Sequence, residues 1–156
     1  MKINWKKLLV CLGGPLAVGG LSALISGGMD SFQNLRQPPL SPPGWLFPVV
    51  WTILYLLMGY ASYRVLTTDG APQEKKKALR LYGVQLLLNF LWSPVFFGLE
   101  WRLVAFFILI ALWIAIFLTI RAFSALDEVA GDLLLPYLLW VTFAGYLNFG
   151  VYLLNR

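Results

Sequence analysis

PPLSPPGWLFPVVWTILYLLMGY, residues 38–60, is the stretch on which the fold turns. Pro38, Pro39, Pro42 and Pro43 fix φ and supply no N–H, so this part reads as a stiff, extended connector. Helix begins near Gly44. Pro48 falls in the first turn, where backbone N–H groups have no helical partner to lose. Phe47, Trp51 and Tyr55 follow at i, i+4 and i+8 and stack on one helical face, with Trp45 at the head of the run. A rigid cover joined to an aromatic stripe is a means of building a pocket.

Working outward, the composition sets the class. The chain has 156 residues, of which 60% are hydrophobic and only 12% charged, and its mean hydropathy is +0.75. That leaves too little polar surface for a water-soluble domain of this size. About 20 apolar residues cross a bilayer as helix, and five stretches qualify: roughly 8–26, 44–66, 78–98, 103–123 and 133–154. The expectation is a single all-α domain over 1–156, an integral membrane bundle of five helices. No repeat suggests paired transporter halves.

The chain has no histidine and one cysteine, Cys11, read as a small core residue. These counts exclude an intrachain disulfide, the usual zinc sites and a Ser–His or Cys–His nucleophile. The basic clusters Lys2/Lys6/Lys7 and Lys75/Lys76/Lys77/Arg80 flank apolar spans, so they read as topology markers rather than a nucleic-acid surface. With five spans, one side also collects Arg64 and Arg121, and the other has only Arg36, Arg102 and Arg156. The positive-inside rule then puts the N-terminus in the cytoplasm and the C-terminus outside. The first apolar run continues to about Ile25 and reads as an uncleaved span.

Three spans carry patterned faces. In the third, Asn89, Trp92, Ser93 and Phe96 share one side, and Pro94 is placed to kink the helix end. An Asn amide in hydrocarbon needs partners, from a neighbouring helix, from a ligand, or from both. In the fifth, Asp132 reads as the N-cap, with Pro136 in the first turn. Trp140, Phe143, Ala144, Leu147 and Asn148 then share a face, and the small Ala144 leaves room for something flat. In the first, Gly13/Ala17 and Gly19/Ala23 are small-xxx-small pairs that permit close helix approach, within the bundle or between protomers. At about 1.5 Å per residue, Trp51, Asn89, Trp92, Ala144 and Asn148 fall roughly 9–15 Å below the connector end, and Trp140 near 21 Å. The expectation is one aromatic cavity shared by the second, third and fifth spans beneath the connector. No Asp, Glu, Lys or Arg lies well inside a span, which argues against a proton-coupled pump and for a neutral or amphipathic planar ligand.

These motifs, PPG-W followed by VVWTILYLLMGYAS, then LNFLWSPVFF, then LPYLLWVTFAGYLN, resemble those of the TspO/translocator protein family, also called the peripheral-type benzodiazepine receptor family. The resemblance covers nearly the whole chain. It implies a five-helix bundle, often a homodimer, that binds porphyrins such as protoporphyrin IX. In animal members it extends to cholesterol and to synthetic isoquinoline or benzodiazepine ligands. Carried over by position, Trp51 and Trp140 correspond to the family's pocket tryptophans, and Phe32 to an aromatic of the cover. Tyr55, Asn89, Phe143, Ala144 and Leu147 line the cavity. The chain departs from the family at Gln37-Pro38-Pro39-Leu40, where the cover lacks a tryptophan, and at Phe47-Pro48-Val49-Val50-Trp51. A cholesterol-type pattern, Leu147, Tyr152 and Arg156, reads more simply as an interfacial Tyr/Arg anchor.

Three functions follow as expectations. One is a receptor or carrier for porphyrin, with no cofactor required. One is a light- and oxygen-dependent porphyrin-degrading enzyme in which Trp51 and Trp140 take part and the pigment supplies the chemistry. The third is a transporter of small apolar solutes. The Lys-rich inner side suits a bacterial inner membrane.

Overall fold

The computed structural model describes residues 2–27 and 34–156. Among these residues every regular element is helical. Helix α1 is Trp5–Ser26, α2 is Leu46–Thr67 and α3 is Pro72–Ser93, which continues through a π-helical turn, Pro94–Gly98. Helix α4 is Arg102–Leu126, α5 is the short Glu128–Leu133 and α6 is Leu135–Asn155. Five stretches are long and apolar enough to cross a membrane: α1, α2, α3 with its π turn, α4, and α5 with α6.

Local chemistry explains the helix ends. Asn4 caps α1, its side chain accepting from the Lys7 N–H at 3.1 Å. Gly27 ends α1 in the left-handed region, φ 83°, where a side chain would be strained. Pro72 opens α3 well before the expected Ala78, because proline at the first turn gives up no helical bond. The expected cap at Asp132 is replaced by Asp127. Its carboxylate accepts from Val129 N–H at 3.0 Å to start α5, and α6 begins without a side-chain cap. The same carboxylate takes Arg64 side-on, Nε to Oδ2 at 2.9 Å and Nη2 to Oδ1 at 3.3 Å, tying α2 to α5.

Two prolines inside the spans free carbonyls that neighbouring helices use. Pro94 has no N–H to offer the Phe90 carbonyl, and Ser22 Oγ on α1 donates to that oxygen at 2.8 Å. Beside it, Ser26 Oγ lies 2.6 Å from the Ser22 carbonyl and 2.8 Å from Ser93 Oγ. Pro15 likewise leaves the Cys11 carbonyl without its helical donor, and that oxygen lies against Gly59 of α2. Cys11 itself is half-buried rather than a core residue. We predict that Ser22→Ala, which leaves the Phe90 carbonyl unpaired in an apolar setting, lowers stability by about 1 kcal/mol, measured as a lower unfolding midpoint in detergent.

The spanning helices close into a ring ordered α1, α2, α6, α4, α3. Helix α1 packs on α2 and α3, α3 on α4, and α4 on α6. The ring closes differently between α2 and α6. Their backbones stay further apart, and aromatic side chains bridge them: Phe47–Trp140 at 5.9 Å, Trp51–Tyr137 at 6.2 Å and Trp51–Trp140 at 6.5 Å between ring centroids. The core inside the ring is built on Met58, Leu112, Ile116, Phe123, Leu134 and Tyr137.

Candidate functional site: an aromatic cavity between three helices

A cavity of about 370 Å³ lies between α1, α2 and α3. Phe47, Trp51 and Tyr55 form the α2 wall, at the i, i+4, i+8 spacing that the helix period places on one side. Helix α3 adds Asn89, Trp92 and Ser93, and the π turn adds Phe97. The third wall is α1, through Leu16, Gly19, Gly20, Ser22, Ala23 and Ser26. Gly20 and Ala23 of α1 and Pro48 and Thr52 of α2 are exposed as well as lining, so the hollow reaches the outer, membrane-facing side of the bundle.

The polar wall is held by a buried chain of hydrogen bonds. Tyr55 OH donates to Asn89 Oδ1 at 2.8 Å, and Asn89 Nδ2 donates to Tyr137 OH at 2.7 Å. Tyr137 OH in turn donates to Gln85 Oε1 at 2.7 Å, and Gln85 Nε2 lies 3.9 Å from Met58 Sδ. Asn89 therefore makes the expected bonds to neighbouring helices and also lines the cavity. The two hydroxyls hold the amide from both sides, which leaves the cavity a rigid polar spot in an apolar wall.

Trp92 is held as firmly. Its Nε1–H donates to Asn148 Oδ1 at 2.9 Å, and Asn148 Nδ2 donates to the Arg102 carbonyl at 2.8 Å. The Trp92 ring stacks on Phe96, centroids 5.1 Å apart. At this end a small second core forms around Phe96, Ala105 and Val151, with Leu35 from the connector, Phe47, Trp92 and Phe97 packed against it. The connector is fastened to α6 at three places. Arg36 N–H donates to Asn155 Oδ1 at 3.0 Å, and Asn155 Nδ2 donates to the Arg36 carbonyl at 2.7 Å. Pro38 seats on Gly150, where a Cβ would stand 2.6 Å from the proline ring. Tyr146 OH donates to the Pro39 carbonyl at 2.6 Å.

The expected single hollow is thus divided, and its walls differ from those expected. Phe47, Trp51, Tyr55, Asn89, Trp92 and Ser93 come together on the cavity. Trp140, Phe143, Ala144, Leu147 and Asn148 do not line it. Ala144, Leu147 and Asn148 are buried in the bundle, so the small side chain at Ala144 leaves no opening. Trp140 and Phe143 line a separate apolar groove with Val50, Ile53 and Leu54. Trp51 stands between the two, stacked on Tyr55 with centroids 5.6 Å apart and set edge-on to Trp140. Phe96 belongs to the second core, Trp45 is 67% exposed, and Phe32 lies outside the described residues. The contribution of α1 was missed. Its glycines read as close packing, and Gly19 does lie against the Tyr55 ring, but the missing side chains also hollow out the wall.

The model of the TspO/MBR family matches residues 9–154. The chain belongs to the TspO/MBR family. Among similar proteins, the Tryptophan-rich protein TspO of Chlorobaculum tepidum is 42% identical over 150 residues, covering 95% of each chain. The Tryptophan-rich sensory protein of Cereibacter sphaeroides is 39% identical over 155 residues, covering 99% of this chain and 95% of its own. The Translocator protein of Bos taurus is 36% identical over 153 residues, covering 96% and 87%. In TspO/MBR terms, this chain is an integral membrane member whose Trp51 and Trp140 touch edge to face at the α2–α6 seam.

Proposed function

We propose that the protein is a membrane receptor or carrier for porphyrins, protoporphyrin IX first among them, and for related planar hydrophobic molecules. The observation that carries this reading is the cavity on Trp51, Tyr55, Trp92 and Asn89. It is apolar, aromatic, marked by a few fixed polar groups and open toward the bilayer. Its volume lies within the range of about 300–1,000 Å³ usual for small-molecule sites. The words "sensory protein" in the name of the Cereibacter sphaeroides relative fit a ligand-reporting role. The distribution of Lys and Arg supports a cytoplasmic N-terminus in a bacterial inner membrane, and the family supports a homodimer.

Protoporphyrin IX titrated into the purified protein should quench tryptophan fluorescence saturably. Trp51→Ala should weaken binding at least tenfold, and Trp140→Phe should weaken it less, because Trp140 lies outside the cavity. Absence of saturable quenching in the native protein would overturn the reading.

The contact between Trp51 and Trp140, with Tyr55 and Tyr137 beside them, favours a second reading: oxidative breakdown of bound porphyrin under light and oxygen. Loss of the porphyrin spectrum on illumination in air should then slow in both Trp51→Phe and Trp140→Phe at full occupancy. Equal rates in native and variant proteins would leave only bleaching of the pigment by itself. Saturable flux into liposomes would instead support transport.

A further inference from the structure

We propose that the α4–α6 seam holds one anionic phospholipid, its phosphate on Arg102 and an acyl chain in the groove below. Arg102 stands at the first turn of α4 with its side chain only 12% exposed. A guanidinium so far removed from water needs acceptors. It has few. Its carbon lies 5.4 Å from the centroid of the Phe96 ring, a cation–π contact. Glu100 Oε1 is 3.8 Å from Nη2, beyond hydrogen-bond reach, and that carboxylate is half exposed. Both Nε and Nη2 are buried without a hydrogen-bond partner. These two nitrogens form one edge of the guanidinium, a side-on fork with no accessible surface, which meets two oxygens of a phosphate only once the side chain turns into the adjoining hollow. A hollow of about 370 Å³ adjoins it, lined also by Glu100, Trp101, Tyr152, Asn155 and Arg156, so two arginines and one carboxylate face the same space and its net charge is positive.

The apolar half of the site lies along the same seam. A groove of about 390 Å³ runs between α4 and α6, lined by Phe106, Ile110, Trp113, Val141, Gly145 and Phe149 among others. Phe106 lies one helical turn beyond Leu103, and Phe149 one turn before Tyr152, so groove and hollow follow each other on both helices. From Arg102 to Ile114 the helix rises about 18 Å, close to the half-thickness of about 15 Å of a bilayer's hydrocarbon. A charge at the rim and a slot one leaflet deep beneath it describe a glycerophospholipid. Gly145 keeps the slot open: a Cβ there would meet nothing within 4 Å.

The test is native mass spectrometry of the full chain after equilibration with equal amounts of dioleoyl-phosphatidylglycerol and dioleoyl-phosphatidylcholine. The native protein should retain phosphatidylglycerol at least fivefold over phosphatidylcholine. Arg102→Gln should bring that ratio near one. Gly145→Leu, which fills open space, should lower retention of both lipids without a drop in unfolding midpoint. Equal retention of the two lipids by the native protein, or an unchanged ratio in Arg102→Gln, would overturn the proposal. If Arg102→Gln does not fold, undiminished retention in Gly145→Leu overturns it alone. Protection of the native protein by sn-glycerol 3-phosphate equal to that by the lipid would also overturn it, in favour of a soluble phosphate ester. Protoporphyrin titration of Gly145→Leu, which lies away from the cavity walls, should be unaltered, so failure here is distinct from failure of the cavity reading.

Discussion

Gly59→Ala is expected to break the α1–α2 crossing and lower stability by about 3 kcal/mol, and Gly59→Val to give no folded protein. A Cβ at Gly59 would run into the Cys11 carbonyl oxygen and stand 2.8 Å from Leu12 Cα and 3.0 Å from the Cys11 carbonyl carbon. All three are backbone atoms, so no rotamer change relieves the clash and α1 must move as a whole. Helix α1 has few other holds on the bundle, since most of its apolar side chains face outward. Movement there also displaces the Ser22 and Ser26 bonds to α3 and the α1 wall of the cavity. Thermal unfolding in detergent checks the prediction. Gly83→Ala is the control: nothing lies within 4 Å of its Cβ position, and alanine favours helix over glycine by about 1 kcal/mol. Equal midpoints for Gly59→Ala and Gly83→Ala would refute the crossing as the determinant.

Asn89→Leu is the second large effect. Removing the amide leaves the Tyr55 hydroxyl without its acceptor, while Tyr137 keeps Gln85. Hydrogen bonds between membrane helices average only about 0.6 kcal/mol. A buried donor left unpaired costs about 1–3 kcal/mol, and here that term dominates, so the expected loss is about 2 kcal/mol. Replacing both partners should recover part of it. The double variant Asn89→Leu/Tyr55→Phe is expected to be more stable than Asn89→Leu alone, because no orphaned hydroxyl remains. Porphyrin affinity should fall in both, since each loses the fixed polar spot on the cavity wall. A double variant less stable than the single one would show that the Tyr55 hydroxyl has another partner.

The five spans were legible because hydropathy over a run of about 20 residues needs no tertiary knowledge. So was the α2 stripe, since Phe47, Trp51 and Tyr55 sit on one helix and their spacing alone aligns them. The start of α3 was hidden by Lys75, Lys76 and Lys77, which lower hydropathy although Pro72 and Glu74 mark a first turn. Asp127, followed by Glu128, carries a first-turn pattern as good as that of Asp132, but it lies before the apolar run that drew the eye. The face of the fifth span was misassigned for a deeper reason. Periodicity groups Ala144, Leu147 and Asn148 on one side of a helix but does not say which neighbour that side meets. That depends on the order of helices around the ring, and no local pattern records it. Helix α1 was overlooked as a wall because a wall made of absent side chains leaves no residue to point to.

Trp51 lines one hollow and stands edge-on to Trp140, which lines the other. A guest on the α1 side that tilts the Trp51 indole changes the room left beside Trp140, and a guest beside Trp140 acts in return on the α1 side. Linkage makes these effects equal: whatever factor one occupant imposes on the other's equilibrium affinity, it receives back. Two apolar molecules bound to one chain would therefore be cooperative or competitive through a single ring, without touching each other.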